Sequence, residues 1–442
     1  MTVTESPTTV APDLVPLRRN RRFQTLWAGS AAAMLGTCVA DTAYPLLLLA
    51  MTGSPTLAGA FGAVQFGASV LFGLHGGAVA DRHDRRRVLI VADTVRLATA
   101  LSVALALLAH CLTVPHTLLA AAAIGATMAY GGPARMLALR AVVPPGQLRQ
   151  ALSQDELRVN GAALAGPPLA GFLLGLGRAV PFLATVLASA AALGASIAVR
   201  FDGGPTNGAD GGRRETGTGN DGREKGVGDG GGETGADGPG REKGAVFAGL
   251  RHLFTDPTLR ATVLVAVALN LAGSAMLLAV MVLLRDHGTS EAGTGLALTG
   301  EAVGGLLGAA LVTRLHRTLA PGALLLAVAW TAPLLFLVPA FAGGPVVVFA
   351  ALAAMSLGVP ALRVMLDVLV FQQVPEAMRG RAVAATMTLL MAGLPVGTMT
   401  AGLLLGRLAA GTVLMLLAGL LAVGLLPLTL GRGLRGTSWP KA

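Results

Sequence analysis

A short basic segment, residues 76–90 (GGAVADRHDRRRVLI), lies between two long apolar runs and constrains the fold of this chain more than any other feature. Four arginines and two aspartates fall within its residues 81–87. The flanking sequence is predominantly apolar for about 20 residues on each side, the length that a membrane-spanning helix needs. Because short arginine-rich loops stay on the cytoplasmic side of a membrane, the segment predicts a tight cytoplasmic turn between two spans.

Composition extends this interpretation to the whole chain. The 442 residues are 53% hydrophobic and only 13% charged, whereas a soluble protein carries roughly 25% charged residues. The net charge of +10 comes from arginines in loops between apolar runs, and no basic stretch is interleaved with aromatic residues. We therefore expect the charge to set membrane topology, and we expect no binding of nucleic acid.

The apolar runs predict twelve transmembrane helices in two groups of six. The arginines between them alternate from side to side, which places both termini and the central segment in the cytoplasm. We expect a monomeric multi-pass protein of a bacterial plasma membrane, embedded in the lipid bilayer. The predicted spans are residues 23–51, 57–80, 88–109, 117–139, 157–176, 179–199, 259–284, 293–313, 322–341, 345–368, 382–405 and 411–430.

The spans divide the chain into two helical bundles with a hydrophilic connection. Residues 201–244 contain 17 glycines in 44 positions and almost no apolar residue, so this segment cannot form a core and should be disordered. Two groups of six spans joined in this way typically face each other across a midplane cavity. The predicted division is a cytoplasmic tail (1–22), a first bundle (23–200), the linker (201–244), an amphipathic interfacial helix (245–257), a second bundle (258–430) and a cytoplasmic tail (431–442).

Sequence signatures of catalysis are missing from the chain. It has no nucleophile paired with a base, no histidine pair at metal-ligand spacing and no phosphate-binding loop. Cys38 and Cys111 lie in or beside spans and form no disulfide or metal framework. We predict that the protein is not an enzyme and uses neither a cofactor nor a metal.

The basic segment resembles the signature loop between spans two and three of the major facilitator superfamily, G-x-L-A-D-R-x-G-R-R. Asp84 stands where that pattern has a glycine. Residues 22–29 (RFQTLWAG), 52–55 (TGSP) and 374–382 (VPEAMRGRA) resemble its subgroup of exporters related to the enterobactin exporter and the macrolide efflux proteins. The positions in register with the loop pattern are Gly77, Asp81, Arg82, Arg85 and Arg86.

This resemblance implies a conformational latch, an interaction that holds the cytoplasmic side closed in one state. In the family, the aspartate of the loop ties the first half to the second, and here it is Asp81. A carboxylate at the end of a span can accept arginine hydrogen bonds and face the positive end of another helix. The alternative is that Asp81 only reduces repulsion among the four arginines. The expected partners are Arg135 or Arg140 at the end of span four, and the start of span eleven near Gly380 and Arg381.

Span five contains a second segment, residues 160–173 (NGAALAGPPLAGFL), that resembles the antiporter motif of the same family. The family associates that motif with export coupled to inward proton flow. Small residues let helices approach closely and proline bends a span, so close packing alone is the alternative interpretation. Ala170 replaces one motif glycine, and the matching positions are Gly161, Gly166, Pro167 and Gly171.

Two carboxylates inside predicted spans are candidates for coupling to protons or substrate, because a charge within the bilayer is costly. Glu301 lies about ten residues into span eight. It could exchange a proton or pair with a cationic substrate, or it could face a small aqueous cavity without a role. Asp41 lies in the outer half of span one, next to Thr42 and before Pro45.

Two further pairs of charges suggest structural ion pairs within the membrane. Asp93 and Arg96 stand three residues apart in span three, and Arg363 and Asp367 stand four apart in span ten. Residues at these spacings share one face of a helix and can neutralise each other.

These observations predict a secondary active transporter that exports an amphipathic small molecule by alternating access, in exchange for protons. A drug, a siderophore or a secondary metabolite would fit that description. The alternative is a uniporter or an importer of a small metabolite.

Overall fold

A computed structural model describes residues 16–199, 254, 257–374 and 376–430. Side chains at 74–82, 145, 257–258, 370–373, 376–381, 428 and 430 lie outside this description. So do the predicted linker, the C-terminal tail and nearly all of the predicted amphipathic helix. The described residues contain helices and no strands.

The first half of the chain forms six long helices. Asn20 caps the first of them by accepting a hydrogen bond from the backbone N–H of Phe23 at 3.1 Å, and Gly53 ends it in the left-handed conformation. A short 3₁₀ turn, Pro145–Gln147, precedes the fifth helix. The helices are α1 (Arg21–Thr52), α2 (Pro55–Arg82), α3 (Arg85–Leu108), α4 (Val114–Val142), α5 (Leu148–Leu176) and α6 (Val180–Ala198).

The second half repeats this layout with one interruption. The predicted span ten is divided at Leu357 and Gly358 into two helices, whereas the sequence predicted one uninterrupted span. The reason is Pro360, which lacks the N–H that would bond to the preceding turn and suits the first turn of a new helix. The helices are α7 (Pro257–Asp286), α8 (Glu291–Thr318), α9 (Pro321–Phe341), α10 (Pro345–Ser356), α11 (Val359–Gln373), α12 (Glu376–Leu405) and α13 (Ala410–Leu430).

Length and composition make eleven helical stretches of the described chain candidates for crossing a membrane, with α10 and α11 counted as one. Helix α4 is not among these eleven, but its 29 residues pack against α2 and α3 within the first half. The arrangement therefore accommodates the twelve spans that the sequence predicts. Several helices begin before the predicted span, and α5 begins at Leu148, so Arg149 lies within this helix rather than in a loop.

The packing of the helices repeats between the halves. In the first bundle, α2 packs on α4, α1 on α5 and α6, and α3 on α4 and α6. In the second bundle, α8 packs on α10, α7 on α12 and α13, and α9 on α10 and α13. The main contacts between the bundles are α2 with α12 and α5 with α8, which correspond to each other under the same repeat. The protein therefore consists of two pseudo-symmetric six-span bundles.

The turn between α2 and α3 is as tight as predicted, because α2 ends at Arg82 and α3 begins at Arg85. Asp84 caps α3 by accepting a hydrogen bond from the backbone N–H of Arg86 at 2.9 Å. The Arg86 guanidinium donates to the carbonyl oxygens of Ile197 and Val199 at 2.7 and 3.3 Å. Arg86 thus satisfies carbonyl groups at the C-terminal end of α6. We call the end of the molecule that carries this turn the basic end.

The second bundle is held together by close approach of helix backbones. Gly300, Gly304 and Gly308 of α8 each lie against a backbone carbonyl of α10 or of Leu357, which follows it. A methyl group at any of the three positions would overlap that backbone. The repeat of a small residue every four positions is the pattern that brings membrane helices close together.

Candidate functional site

A cavity of about 220 Å³ lies inside the first bundle, among α1, α3, α4 and α5. Its lining residues come from the first half of α1 and the second half of α4, which places it in the half of the bundle nearer the basic end. We call it the first-bundle cavity. Its polar side chains are Ser30, Thr37, Arg96, Arg135, Asp155 and Arg158, and its apolar wall includes Trp27, Met34, Met128, Met136 and Leu139.

Asp93 is the centre of a buried polar network beside this cavity. The residue is 1% exposed and accepts hydrogen bonds from Arg135 of α4 and Ser196 of α6, both at 2.7 Å. Arg96 lies one helical turn away, with a guanidinium nitrogen 3.6 Å from the same carboxylate. A buried carboxylate needs such partners because its desolvation is costly. Asp93 therefore connects three helices of the first bundle.

The network continues across the cavity to α1 and α5. Arg135 donates a second hydrogen bond to the Ser30 hydroxyl at 3.0 Å. Arg158 donates to the Ser30 carbonyl at 3.1 Å and to Asp155 through two nitrogens at 2.7 and 2.9 Å. Both of these arginines thus have their donors directed to protein groups.

Arg96 differs from the other two arginines of the cavity. Its side chain is 13% exposed and lines the cavity. Among the residues that the structure describes, it donates no hydrogen bond, and its ion pair with Asp93 is long at 3.6 Å. Its guanidinium is therefore the cationic group of this cavity that remains available to a bound molecule.

Asp41 lies just beyond the end of the cavity that is farther from the basic end, one turn along α1 from Thr37. Its carboxylate accepts a hydrogen bond of 2.7 Å from the side chain of Gln65 on α2, a residue that is 2% exposed. Arg96 is near enough to interact electrostatically with it. Asp41 is thus held at the boundary between the polar cavity and the apolar half of the bundle.

An aromatic cluster fills the interior of the first bundle beyond Asp41, on the side away from the cavity. Tyr44 stacks on Phe61 with ring centroids 4.5 Å apart and meets Phe182 edge to face at 4.7 Å. All three side chains are buried. The polar interior of the first bundle therefore ends at this layer.

The two bundles meet closely at the end opposite the basic end. Thr56, at the start of α2, donates a hydrogen bond of 3.0 Å to the carbonyl of Gly402 near the end of α12. One turn deeper, Gly59 lies against the backbone of Gly402 and Thr398, and Gly62 contacts the Thr398 side chain. The structure is therefore closed at this end along α2 and α12.

A second contact of the same kind joins α5 and α8. Gly171 lies against the carbonyl of Glu291, and Gly295 lies against the carbonyl of Pro167. Gly166 of the same motif packs on Cys38 of α1, whereas no atom lies within 4 Å of the position that a side chain at Gly161 would occupy. Three of the four motif positions that the sequence singled out thus lie at helix contacts. Their relation to proton coupling remains a prediction.

Glu301 lies on the side of α8 that faces the space between the bundles. Leu296 and Leu307 are 59% and 54% exposed. A helix of 3.6 residues per turn places these two leucines within about 20° of each other around the helix axis, and it places Glu301 about 120–140° from them. Thr294 and Leu298 lie on the same side as Glu301 but nearer the closed end, and both are buried. Glu301 itself is exposed. Glu301 therefore borders an opening beside α8 that Thr294 and Leu298, nearer the closed end, do not reach.

The predicted latch is described only in part. The side chains of Gly77, Asp81 and Arg82 lie outside the described residues, as do those of Gly380 and Arg381. Arg135, one expected partner, binds Asp93 and Ser30 in this structure. The other, Arg140, is exposed, and Arg85 is half-buried beside Asp84. The latch remains a prediction.

The two predicted ion pairs differ in geometry. Asp93 and Arg96 lie 3.6 Å apart, with Asp93 shared between two arginines. Arg363 and Asp367 are both described, and no nitrogen of Arg363 lies within 4.0 Å of an oxygen of Asp367. The Arg363 residue is exposed. The pair of Arg363 and Asp367 remains a prediction.

Sequence reasoning missed several members of the polar network. Gln65 is a strongly polar side chain among the otherwise apolar or small residues 57–73. Its position in this run could have identified it as a candidate member of a polar site. Ser30, Ser196 and Arg158 carried no such signal, because serines are common in membrane helices and Arg158 lies at the cytoplasmic start of the predicted span five, where an arginine is ordinary.

The sequence matches the family model of the Major Facilitator Superfamily over residues 26–398. This chain belongs to the major facilitator superfamily. The superfamily assignment agrees with the two-bundle fold and makes the protein a multi-pass membrane transporter rather than an enzyme. No curated protein sequence matches the chain.

Solved structures of superfamily transporters have the same fold at low sequence identity. The nucleoside transporter NupG is 12% identical, with 93% of this chain and 100% of that chain covered and a TM-score of 0.72. A POT family transporter in complex with a thioalcohol-conjugated peptide is also 12% identical, with 92% and 95% covered and a TM-score of 0.65. A bacterial homolog of the human lysosomal transporter Spinster, in an inward-facing and unoccupied conformation, is 16% identical, with 89% and 82% covered and a TM-score of 0.62.

Proposed function

We propose that this protein exports a small amphipathic molecule across the plasma membrane by alternating access, in exchange for protons. The observation that carries the proposal is the asymmetry of the two ends. Glycine-lined contacts of α2 with α12 and of α5 with α8 close one end. Further along α8, Glu301 is exposed on the side of the helix where Thr294 and Leu298 are buried. Such a form is one of the two states that a rocking transporter needs.

The proposed orientation places the basic end in the cytoplasm, because arginine-rich short loops stay on that side. Both termini and residues 201–244 would then be cytoplasmic, and the structure would represent the inward-open state. Asp81 would hold the basic end closed in the other state. We propose a monomer, since the two bundles find their packing partners within one chain, along α2 with α12 and α5 with α8.

Two intramembrane carboxylates are the proposed proton carriers. Glu301 borders the space between the bundles and has no hydrogen bond or ion pair with any residue that the structure describes. Asp41 is held by Gln65 beside the first-bundle cavity. A carboxylate in either place is desolvated in one state and reachable by water in the other, which is what proton coupling requires.

Outward direction is proposed from the resemblance of the loop and span-five segments to exporters. Uptake or uniport of a small metabolite is the alternative, favoured by the structural likeness to nucleoside and peptide transporters. Susceptibility of cells separates the two. Deleting the gene of an exporter sensitises cells to the exported compound, whereas deleting that of an importer starves them of a nutrient.

The deciding experiment is transport by purified protein in vesicles across a panel of labelled compounds, with and without a pH gradient. We expect a pH gradient to drive accumulation of at least one amphipathic compound. Glu301→Gln should abolish the effect of the gradient but leave downhill exchange. Glu291→Gln is the matched control, because Glu291 lies on the same helix at the closed end, about three turns from Glu301. Gradient-driven transport that is unchanged by Glu301→Gln would contradict the role of Glu301.

A further inference from the structure

We propose that the first-bundle cavity binds the carboxylate group of a small amphipathic acid, with Arg96 as its anchor. The inference rests on the proposed function and names the class of cargo. It comes from the contrast among the three arginines that line one cavity. Arg135 and Arg158 each have protein acceptors for their hydrogen bonds, whereas Arg96 has only the long contact with Asp93.

A guanidinium in this position is costly unless it finds an acceptor. The Arg96 side chain is mostly buried at 13% exposure, and the charge of Arg135 lies close by at the same carboxylate oxygen of Asp93. A buried cation without hydrogen bonds is stabilised by a charged acceptor more than by water. The planar guanidinium matches a carboxylate, with which it can form two parallel hydrogen bonds.

The charge of the cavity and its border fits one negative group. Arg96, Arg135 and Arg158 are opposed by Asp93 and Asp155, which leaves one positive charge in excess when the Asp41 carboxyl is protonated. A single carboxylate would balance this charge, whereas a doubly charged phosphate would exceed it beside Asp93. Asp41, which is hydrogen-bonded to Gln65 beyond the cavity, is the other ionisable group near Arg96. When its carboxylate is ionised, it repels an anion bound at Arg96.

The rest of the cavity fits an apolar body attached to that carboxylate. Trp27, Met34, Met128 and Met136 face the volume of about 220 Å³. Methionine side chains adapt to different shapes, and tryptophan offers a flat surface to a ring. The cavity therefore has one charged anchor and an adaptable apolar wall, the usual composition of a small-molecule site.

The test compares an acid with its neutral amide on the purified full-length protein in detergent. The probes are 2-naphthoate and 2-naphthamide, which differ in charge but hardly in shape, and binding is measured by titration calorimetry. We expect the protein to bind the acid at least about tenfold more tightly, the difference of one charge-assisted pair of hydrogen bonds. Equal affinity for acid and amide would overturn the inference.

Two substitutions locate the binding at Arg96. Arg96→Gln should remove the preference for the acid and leave amide binding unchanged, and Asp93 keeps Arg135 and Ser196 as partners. Arg96→Lys keeps the charge but loses the paired geometry, so it should weaken naphthoate binding severalfold. If Arg96→Gln does not stay monodisperse, Arg96→Lys decides the question. An acid preference that survives in Arg96→Gln, or an unchanged naphthoate affinity in Arg96→Lys where that variant decides, means that Arg96 is not the anchor.

The vesicle transport assay separates failure of this inference from failure of the proposed function. Gradient-driven transport of panel compounds without any preference for acids would leave the exporter standing and remove the carboxylate site. Naphthoate binding at Arg96 without transport of any compound would leave the carboxylate site standing and remove the proposed exporter.

Discussion

Arg135 of α4 and Asp93 of α3 form an ion pair of 2.7 Å inside the first bundle, 42 residues apart in the chain. The carboxylate is almost completely buried and also binds Ser196 of α6. Arg135 in turn reaches the Ser30 hydroxyl of α1. This one pair therefore connects four helices, and its integrity should decide the stability of the bundle.

Arg135→Gln is expected to lower the free energy of unfolding by about 3–5 kcal/mol, because it removes the closest counter-charge of a buried aspartate. The double variant Asp93→Asn/Arg135→Gln should recover part of the loss, since no buried charge is left on Asp93. Thermal unfolding of the purified variants in detergent measures both effects. Arg140→Gln is the control, because that arginine of α4 is exposed. Purely additive effects of the two single substitutions would contradict the pairing.

Gly304→Leu should destabilise the second bundle, because the side chain would overlap the backbone of Ala353. The cost of inserting such a side chain into close packing is about 1–3 kcal/mol or more. Gly305→Leu is the matched control on the next residue, where no atom lies within 4 Å of the added carbon. The melting temperature in detergent should fall for the first variant only. Similar melting temperatures for both variants would mean that α8 and α10 are not packed as described.

Gly171→Leu should open the closed end. A leucine there would overlap the backbone of Glu291 and Ala292, so it should favour the state in which α5 and α8 are separated. A clash of about 1–3 kcal/mol changes the ratio of the two states by about 5–150-fold.

Labelling of Thr398→Cys, in a protein with Cys38 and Cys111 replaced by alanine, measures this opening. Thr398 is 9% exposed and contacts Gly62 across the contact of α2 with α12. A maleimide should therefore react severalfold faster in the Gly171→Leu variant. Gly175→Leu, with no neighbour within 4 Å, should leave the rate unchanged. Equal labelling rates in the two variants would show that the α5–α8 contact does not hold this end closed.

Asp81→Asn should abolish transport while the protein still inserts and folds, because the latch needs a charged carboxylate. Asp84→Asn is the control in the same turn. Its amide oxygen can still accept the hydrogen bond from Arg86 that caps α3, so transport should persist. Uptake into vesicles and the amount of monodisperse protein are measured together. Normal transport by the Asp81 variant would remove the latch from the mechanism.

Asp41→Asn should strengthen binding of 2-naphthoate by about threefold or more, because it removes a negative charge that acts on Arg96. The asparagine oxygen can still accept the hydrogen bond from Gln65, so the local packing is kept. Binding of 2-naphthamide should not change. Weaker binding of the acid by this variant would place Asp41 among the groups that hold the cargo, contrary to the charge balance proposed for the cavity.

The sequence predicted the class, the family and the approximate spans because these depend on local patterns. Runs of apolar residues and the arginines between them can be read without knowledge of neighbours. The break in span ten was also readable, since Gly358 and Pro360 lie within an apolar run. The Gly300–Gly304–Gly308 repeat is equally visible in the sequence, and a small residue every four positions indicates a close helix contact.

The polar network could not be read in the same way. The partners of Asp93 include Arg135 and Ser196, which lie 42 and 103 residues away in the chain. Only the packing of α3 against α4 and α6 brings them together. The spacing rule identified Arg96 as the partner of Asp93, whereas the structure adds a closer one from another helix. Local spacing therefore predicts which groups share a face but not which partner is preferred.

The described contacts at the closed end join glycines to backbone atoms and to Thr398, with one hydrogen bond from the Thr56 hydroxyl to Gly402. Glu291 contributes its backbone carbonyl to these contacts, so the joint depends on shape and short-range attraction and on no ion pair among them. The residues that would contact cargo lie elsewhere, around Arg96 and Glu301. Related proteins can therefore acquire a new cargo by changing those walls while the same joint continues to open and close.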